Sequence, residues 1–234
     1  MVKIGGFDLS KGAAVVAVIS HSPLEQAKAA RLQGADILEI RLDLLGIEDT
    51  KSTLELLASL KSEVDLPCIA TNRVPSDGGK WEGNEEDRIQ ILLDVLPFVD
   101  ALDVELAAPT DSREKIIKSA HELGKTVIVS HHDFNGTPSF EKMQSILGMI
   151  WKCGGDIAKF AAKANSPADT INLLQVTHEA TKPVCMISMG DLGKHTRVIA
   201  PLYGSVLTYG VVGEAVAPGQ LSIAELKRTM KVLL

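Results

Sequence analysis

A lysine stands inside an apolar run, Ile157-Ala158-Lys159-Phe160-Ala161-Ala162, that reads as a buried strand. Burial disfavours the charged form of an amine, so the expectation is a side chain pushed toward the neutral nucleophile that attacks a carbonyl. A core lysine paired with a carboxylate is the plain alternative. Lys163 shares the Lys159 face nearer the rim, and spacing leaves open which amine reacts, the deeper one being better desolvated.

Other strand-like runs carry charge in the same alternating way. Successive strand residues point to opposite faces, so Glu39, Arg41 and Asp43 are expected on one side of a second strand. Asp103 and Glu105 are expected on one side of a fourth, and Thr71 with Arg73 closes the third. On the fifth, His132 goes with Ile128 and Ser130 while His131 faces away, so one histidine is placed for general acid/base work near neutral pH. With Arg197, the inward set sums to four carboxylates against four cations, a cluster that is costly unless paired and typical of active sites. Carboxylates with His132 also suggest a metal site. The nearby arginines would repel a cation, and a lysine imine supplies the same electron sink, so no metal is expected.

Eight short β-branched runs must position these groups: residues 14–20, 37–43, 67–73, 101–106, 126–133, 157–164, 183–190 and 205–211. Each precedes a stretch of helical periodicity. Helix starts are marked by Ser22 with Glu25, Asp111 with Glu114, Ser166 with Asp169 and Ser222 with Glu225, and helix ends by Gly34 and Gly124. Parallel strands need such crossovers, and eight strand-helix units spell a (β/α)8 TIM barrel. An open doubly wound sheet is disfavoured, since Ser20-His21-Ser22-Pro23 after the first strand is no glycine-rich phosphate turn. Residues 2–9 read as a short N-terminal β-hairpin turning at Gly5-Gly6, able to plug the barrel floor. One domain is expected over residues 1–234.

Composition narrows the partners. A formal charge of −6 argues against a nucleic-acid partner. Cys68, Cys153 and Cys185 are odd in number and apolar in context, as in a reduced cytoplasmic protein. The N-terminus lacks the apolar segment of a signal peptide and no window approaches a membrane span.

These residues also resemble a known family. Glu39-Ile40-Arg41-Leu42-Asp43, Ser130-His131-His132-Asp133-Phe134 with Thr137-Pro138, Gly155-Asp156-Ile157-Ala158-Lys159, Ile187-Ser188-Met189-Gly190 and Ala217-Pro218-Gly219-Gln220 together are similar to the type I 3-dehydroquinate dehydratases of the shikimate pathway. The resemblance implies a cytoplasmic homodimer of TIM barrels. It implies a hydro-lyase that converts 3-dehydroquinate to 3-dehydroshikimate, on the route to chorismate and the aromatic amino acids, with no cofactor. It assigns the imine to Lys159 and not Lys163, the acid/base role to His132, and an orienting carboxylate to Glu105. Substrate contacts fall on Glu39, Arg41, Arg73, Arg197, Gln220, Met189 and Ser20, with Gln220 closing from a loop at 212–219. Val216 stands where many relatives carry serine, which puts one lid hydrogen bond in question. Thr196 and His131 are milder departures. A class I aldolase would share fold and lysine but grip phosphate, and a non-catalytic sugar-acid binder would need the arginines alone.

Overall fold

The computed structural model describes residues 2–213 and 219–233. Its floor is the antiparallel hairpin of β1 (Lys3–Ile4) and β2 (Phe7–Asp8). Parallel strands follow in chain order as β3 (Ala14–Ile19), β4 (Ile37–Arg41), β5 (Cys68–Thr71), β6 (Ala101–Glu105), β7 (Thr126–Asp133), β8 (Ile157–Lys163), β9 (Val184–Met189) and β10 (Leu207–Val211). Each pairs with the next through β9, and β10 returns to β3. The β9–β10 seam closes on a bridge between Val184 and Ser205. There the Ser205 hydroxyl accepts from Met186 N (3.1 Å) and donates to Leu207 O (3.0 Å), supplying bonds that the short ladder lacks.

Around the barrel run α1 (Pro23–Leu32), α2 (Leu42–Leu45), α3 (Thr50–Glu63), α4 (Glu85–Val95), α5 (Thr110–Glu122), α6 (Phe140–Lys152), α7 (Pro167–Glu179), α8 (Thr196–Ile199) and α9 (Ile223–Leu233). A last short strand, β11 (Leu221–Ser222), adds to β10. The expected box of Ser166 and Asp169 caps α7, and Ser222 bonds Glu225 at α9. Two expected caps differ. Ser22 takes a left-handed conformation (φ 37°) and makes no cap hydrogen bond, and α5 starts one residue before Asp111.

Alternation divides the core into two shells. Val15, Leu38, Ala70, Leu102, Val129 and Phe160 face out against Leu57, Leu92, Ile116, Ile146 and Leu173 of the helices. Val16, Ile37, Ile69, Ile128, Ile157 and Leu207 fill the barrel floor, with Ile4 and Leu9 of the hairpin beneath them. That floor is hydrocarbon apart from the Thr126 hydroxyl, which donates to Lys3 O of the hairpin, and the charged inward positions lie toward the C-terminal end of the strands, where barrel active sites form.

A repeated device fixes the register. Asp36, Asp100 and Asp156 stand just before β4, β6 and β8, and their carboxylates accept Val15 N (2.8 Å), Cys68 N (2.9 Å) and Val127 N (2.8 Å) at the start of the preceding strands. Three residues after each aspartate comes an inward ionisable group: Glu39, Asp103 and Lys159. Barrel layers take their four side chains from alternate strands, and Tyr209 of β10 completes this one.

Candidate active site

Lys159 is 4% exposed, whereas Lys163 on the same face is exposed at the end of β8. The strand therefore separates the two amines that spacing could not. Lys159 Nζ donates to Asp103 Oδ2 (2.8 Å) and Glu39 Oε1 (3.1 Å). Burial alone would pull its pKa down, but the charges of Asp103 and Glu39 outweigh burial and raise it. The expectation of an amine neutralised by burial is thus corrected: in the free protein Lys159 is an ammonium ion held by two carboxylates.

Asp103 is the hub of the cluster. Its Oδ1 accepts from Arg73 Nη2 (2.8 Å) and Ser130 Oγ (2.7 Å) while Oδ2 holds Lys159. Burial works against its charge, yet Arg73 and Lys159 keep its carboxyl well below the usual range. Arg73 also donates to Ser130 Oγ (2.8 Å) and lies 3.3 Å from Asp77 and 3.7 Å from Glu105. Carboxylates expected as ligands in the metal reading are thus spent on cations.

His132 Nδ1 bonds Asp77 Oδ2 at 2.8 Å. A carboxylate accepts, so Nδ1 carries the proton and Nε2 is the basic nitrogen. Burial and the neighbouring Arg73 lower the His132 pKa to about 4 in spite of Asp77, so the ring is neutral at physiological pH. His131 turns outward, stacked 5.6 Å from Phe160, as alternation requires.

The orienting carboxylate is Asp77, and the assignment of that role to Glu105 is corrected. Glu105 Oε2 takes Arg88 Nη1 (2.9 Å), and its Oε1 lies toward Arg73 and the Val74 amide. Asp77 comes from the turn after β5, in Arg73-Val74-Pro75-Ser76-Asp77-Gly78-Gly79. Pro75 starts a 3-10 turn and Gly78 ends it at φ +82°. A Cβ on Gly79 would overlap the Arg73 carbonyl oxygen, so this close return of the chain needs glycine. That glycine pair behind an aspartate is the signal sequence reading passed over.

A cavity opens above this cluster, lined by Val18, Glu39, Arg41, His132, Lys159 and Ala161, and on the far wall by Ile187, Met189, Arg197, Tyr209 and Gln220. Arg41 and Asp43 form a bidentate pair (2.9 and 2.7 Å). Asp43 is not a strand residue: β4 ends at Arg41, and Asp43 lies in α2, where it also accepts Lys80 N. Arg197 Nε donates to Gly219 O (2.8 Å), and burial pulls its pKa down to about 10. Ser20 lies at the end of β3, and its buried hydroxyl has no hydrogen-bond partner among the described residues. Three expected site residues, Glu105, Arg73 and Ser20, do not line the cavity; Glu105 is held beneath it by Arg73 and Arg88. Val216, Ala217 and Pro218 lie outside the described residues.

Residues 14–233 match the family model described as type I 3-dehydroquinase. The chain belongs to the type I 3-dehydroquinase family. The 3-dehydroquinate dehydratase of Methanococcoides burtonii is 53% identical over 233 residues, covering 100% of both chains. The crystal structure of the Geobacillus kaustophilus 3-dehydroquinate dehydratase superposes with a TM-score of 0.90 at 28% identity, covering 99% of this chain and 95% of the other. That of the Clostridium difficile type I 3-dehydroquinate dehydratase with covalently modified comenic acid gives 0.88 at 29% identity over 95% of this chain and 92% of the other. Family, barrel and hydro-lyase class are as the sequence led one to expect. Among the described residues no helix is long and apolar enough to cross a membrane.

Proposed function

We propose that the chain carries out the family's dehydration of 3-dehydroquinate to 3-dehydroshikimate through an imine on Lys159, with His132 moving the protons. The observation that carries this reading is the pairing of a buried lysine with a neutral, carboxylate-oriented histidine in one cavity. The substrate's carboxylate is placed on Arg197, whose guanidinium is buried on the cavity wall, where such a group binds an anion strongly. Arg41 and Glu39 face the ring hydroxyls, Met189 packs on the ring, and Ser20 offers its hydroxyl at the rim. Arg73 acts from below by holding Asp103 and Asp77, and Gln220 covers the ring from the β10 side.

Lys159 is an ammonium at rest, so a proton leaves Nζ before attack, and His132 is the neutral base on the same cavity. The amine adds to the ring ketone and water departs to leave a protonated imine. That cation acidifies the neighbouring carbon, from which His132 Nε2 takes a proton. The enamine electrons then expel the hydroxyl from the carbon next to the deprotonated one, two carbons from the imine carbon, and the imidazolium returns its proton so that water leaves. Hydrolysis of the conjugated imine frees Lys159. Asp77 keeps the imidazole in the tautomer that both transfers need.

The reaction needs no cofactor, and the reading is completed by one barrel domain over residues 1–234 working as a cytoplasmic homodimer without nucleic acid. An absorbance assay for the conjugated product, run with and without a chelator, tests it. The expected result is equal turnover in both. No product from 3-dehydroquinate, or turnover abolished by the chelator, contradicts it.

A further inference from the structure

Four inward side chains from alternate strands share one layer: Glu39, Asp103, Lys159 and Tyr209. Two of them meet Lys159 as carboxylates. Tyr209 meets it through the face of its ring, with Nζ 4.2 Å from the centroid. Tyr209 is 3% exposed and lines the cavity, and its hydroxyl has no hydrogen-bond partner among the described residues. Burial of the phenol keeps it protonated, its pKa raised well above the ordinary value. The contact that the side chain makes with the cluster is therefore made by a neutral ring, whose face attracts cations.

Counting hydrogens shows what this contact does that the carboxylates do not. An ammonium has three N–H donors, enough for both Asp103 and Glu39. A protonated imine has one, because two of the nitrogen's valences are taken by the new C=N bond and a third by its own side chain. On imine formation at least one carboxylate hydrogen bond is lost while the positive charge stays. A π face needs no N–H, so its attraction persists from ammonium to iminium.

We propose that Tyr209 is a positioning residue for the dehydration, its ring face holding the Lys159 nitrogen as a cation when the hydrogen-bond donors that fix it in the free protein are consumed. The proposal rests on the imine reading above. The other groups facing Nζ are Glu39 from β4, Arg73 beyond β5, Asp103 from β6, His132 from β7 and the neutral Cys185 thiol from β9. Asp103 and Glu39 also attract the cation by charge, which Arg73 partly cancels; the ring face adds an attraction that needs no N–H donor.

The test replaces Tyr209 by Phe and then by phenylalanines carrying one to five ring fluorines, which weaken the π face while nearly preserving shape. Tyr209→Phe keeps an unsubstituted ring face and is the reference against which the fluorinated series is read. Relative to Tyr209→Phe, the fluorinated series is expected to lower kcat progressively, by roughly 2- to 30-fold in total, the range of a cation–π contact, with KM nearly constant. In parallel, each protein is incubated with 3-dehydroquinate, reduced with borohydride, and the Lys159 adduct quantified by peptide mass. Adduct yield that falls in step with kcat supports the proposal. A flat kcat across the series, with a normal adduct on the parent, overturns it and leaves the imine reading standing. Absence of any adduct on the parent overturns both.

Discussion

His132 Nδ1 and Asp77 Oδ2 lie 2.8 Å apart, and the two residues come from different elements, β7 and the turn after β5. The bond fixes which imidazole nitrogen faces the cavity. In Asp77→Asn an amide N–H can present itself to Nδ1 and favour the wrong tautomer. The expected result is a fall in kcat of about 10²-fold with KM little changed, against about 10²- to 10⁴-fold for His132→Ala. Steady-state kinetics on the two variants checks this, and an unchanged kcat in Asp77→Asn would remove the orienting role.

The lowered His132 pKa, from 6.5 to about 4, sets the acid side of the pH profile. Because the folded protein resists protonation there, His132 remains a base down to about pH 4, and kcat/KM on its account should fall only below that point. Stability follows the same sign. Between about pH 6.5 and 4 the unfolded chain takes up a proton that the folded chain refuses, so this group costs stability as pH falls through that window. Urea unfolding across the window and a kcat/KM profile measure the two effects separately.

Arg88 reaches from α4 into the barrel wall, where Nη1 binds Glu105 (2.9 Å) and the Asn72 carbonyl (2.7 Å). Replacing it by Met leaves a buried carboxylate with only the Val74 amide (3.4 Å) and Arg73 (3.7 Å) as partners. Removing one partner of a buried ion pair costs roughly 3–5 kcal/mol, and urea unfolding of Arg88→Met at neutral pH should show a loss of that size. Since Glu105 also faces Arg73, kcat is expected to fall as well.

Arg197 faces the cavity from α8 and is tied to Gly219 and, more weakly, to Tyr209 O. If it clamps the substrate's carboxylate throughout the reaction, Arg197→Ala raises KM far more than it lowers kcat. A KM equal to the parent's, measured by initial rates over a wide substrate range, would place the carboxylate elsewhere.

Much of this architecture was legible because barrel strands obey a period of two. The inward placement of Glu39, Asp103, Lys159 and His132, and the outward turn of His131, follow from alternation alone. What alternation could not reach were groups carried on turns. Asp77 sits four residues beyond Arg73 on a glycine-dependent return of the chain, and Asp43 left the strand pattern where β4 gives way to α2. The charge state of Lys159 was open for a different reason. Alternation brings carboxylates to the same face but not their distance from Nζ, and at 2.8 and 3.1 Å the attraction of Asp103 and Glu39 outweighs desolvation. The equivalence of Tyr209 to Lys159 emerges only once alternate strands close into one layer.

The central claim is that Lys159 is the residue joined covalently to substrate. Incubation of the protein with 3-dehydroquinate, reduction with borohydride and peptide mass mapping tests it most directly. The account predicts a single adduct on the peptide containing Lys159, absent in Lys159→Ala and retained in Lys163→Ala. An adduct on Lys163, or product formation by Lys159→Ala at the parent's rate, would contradict it.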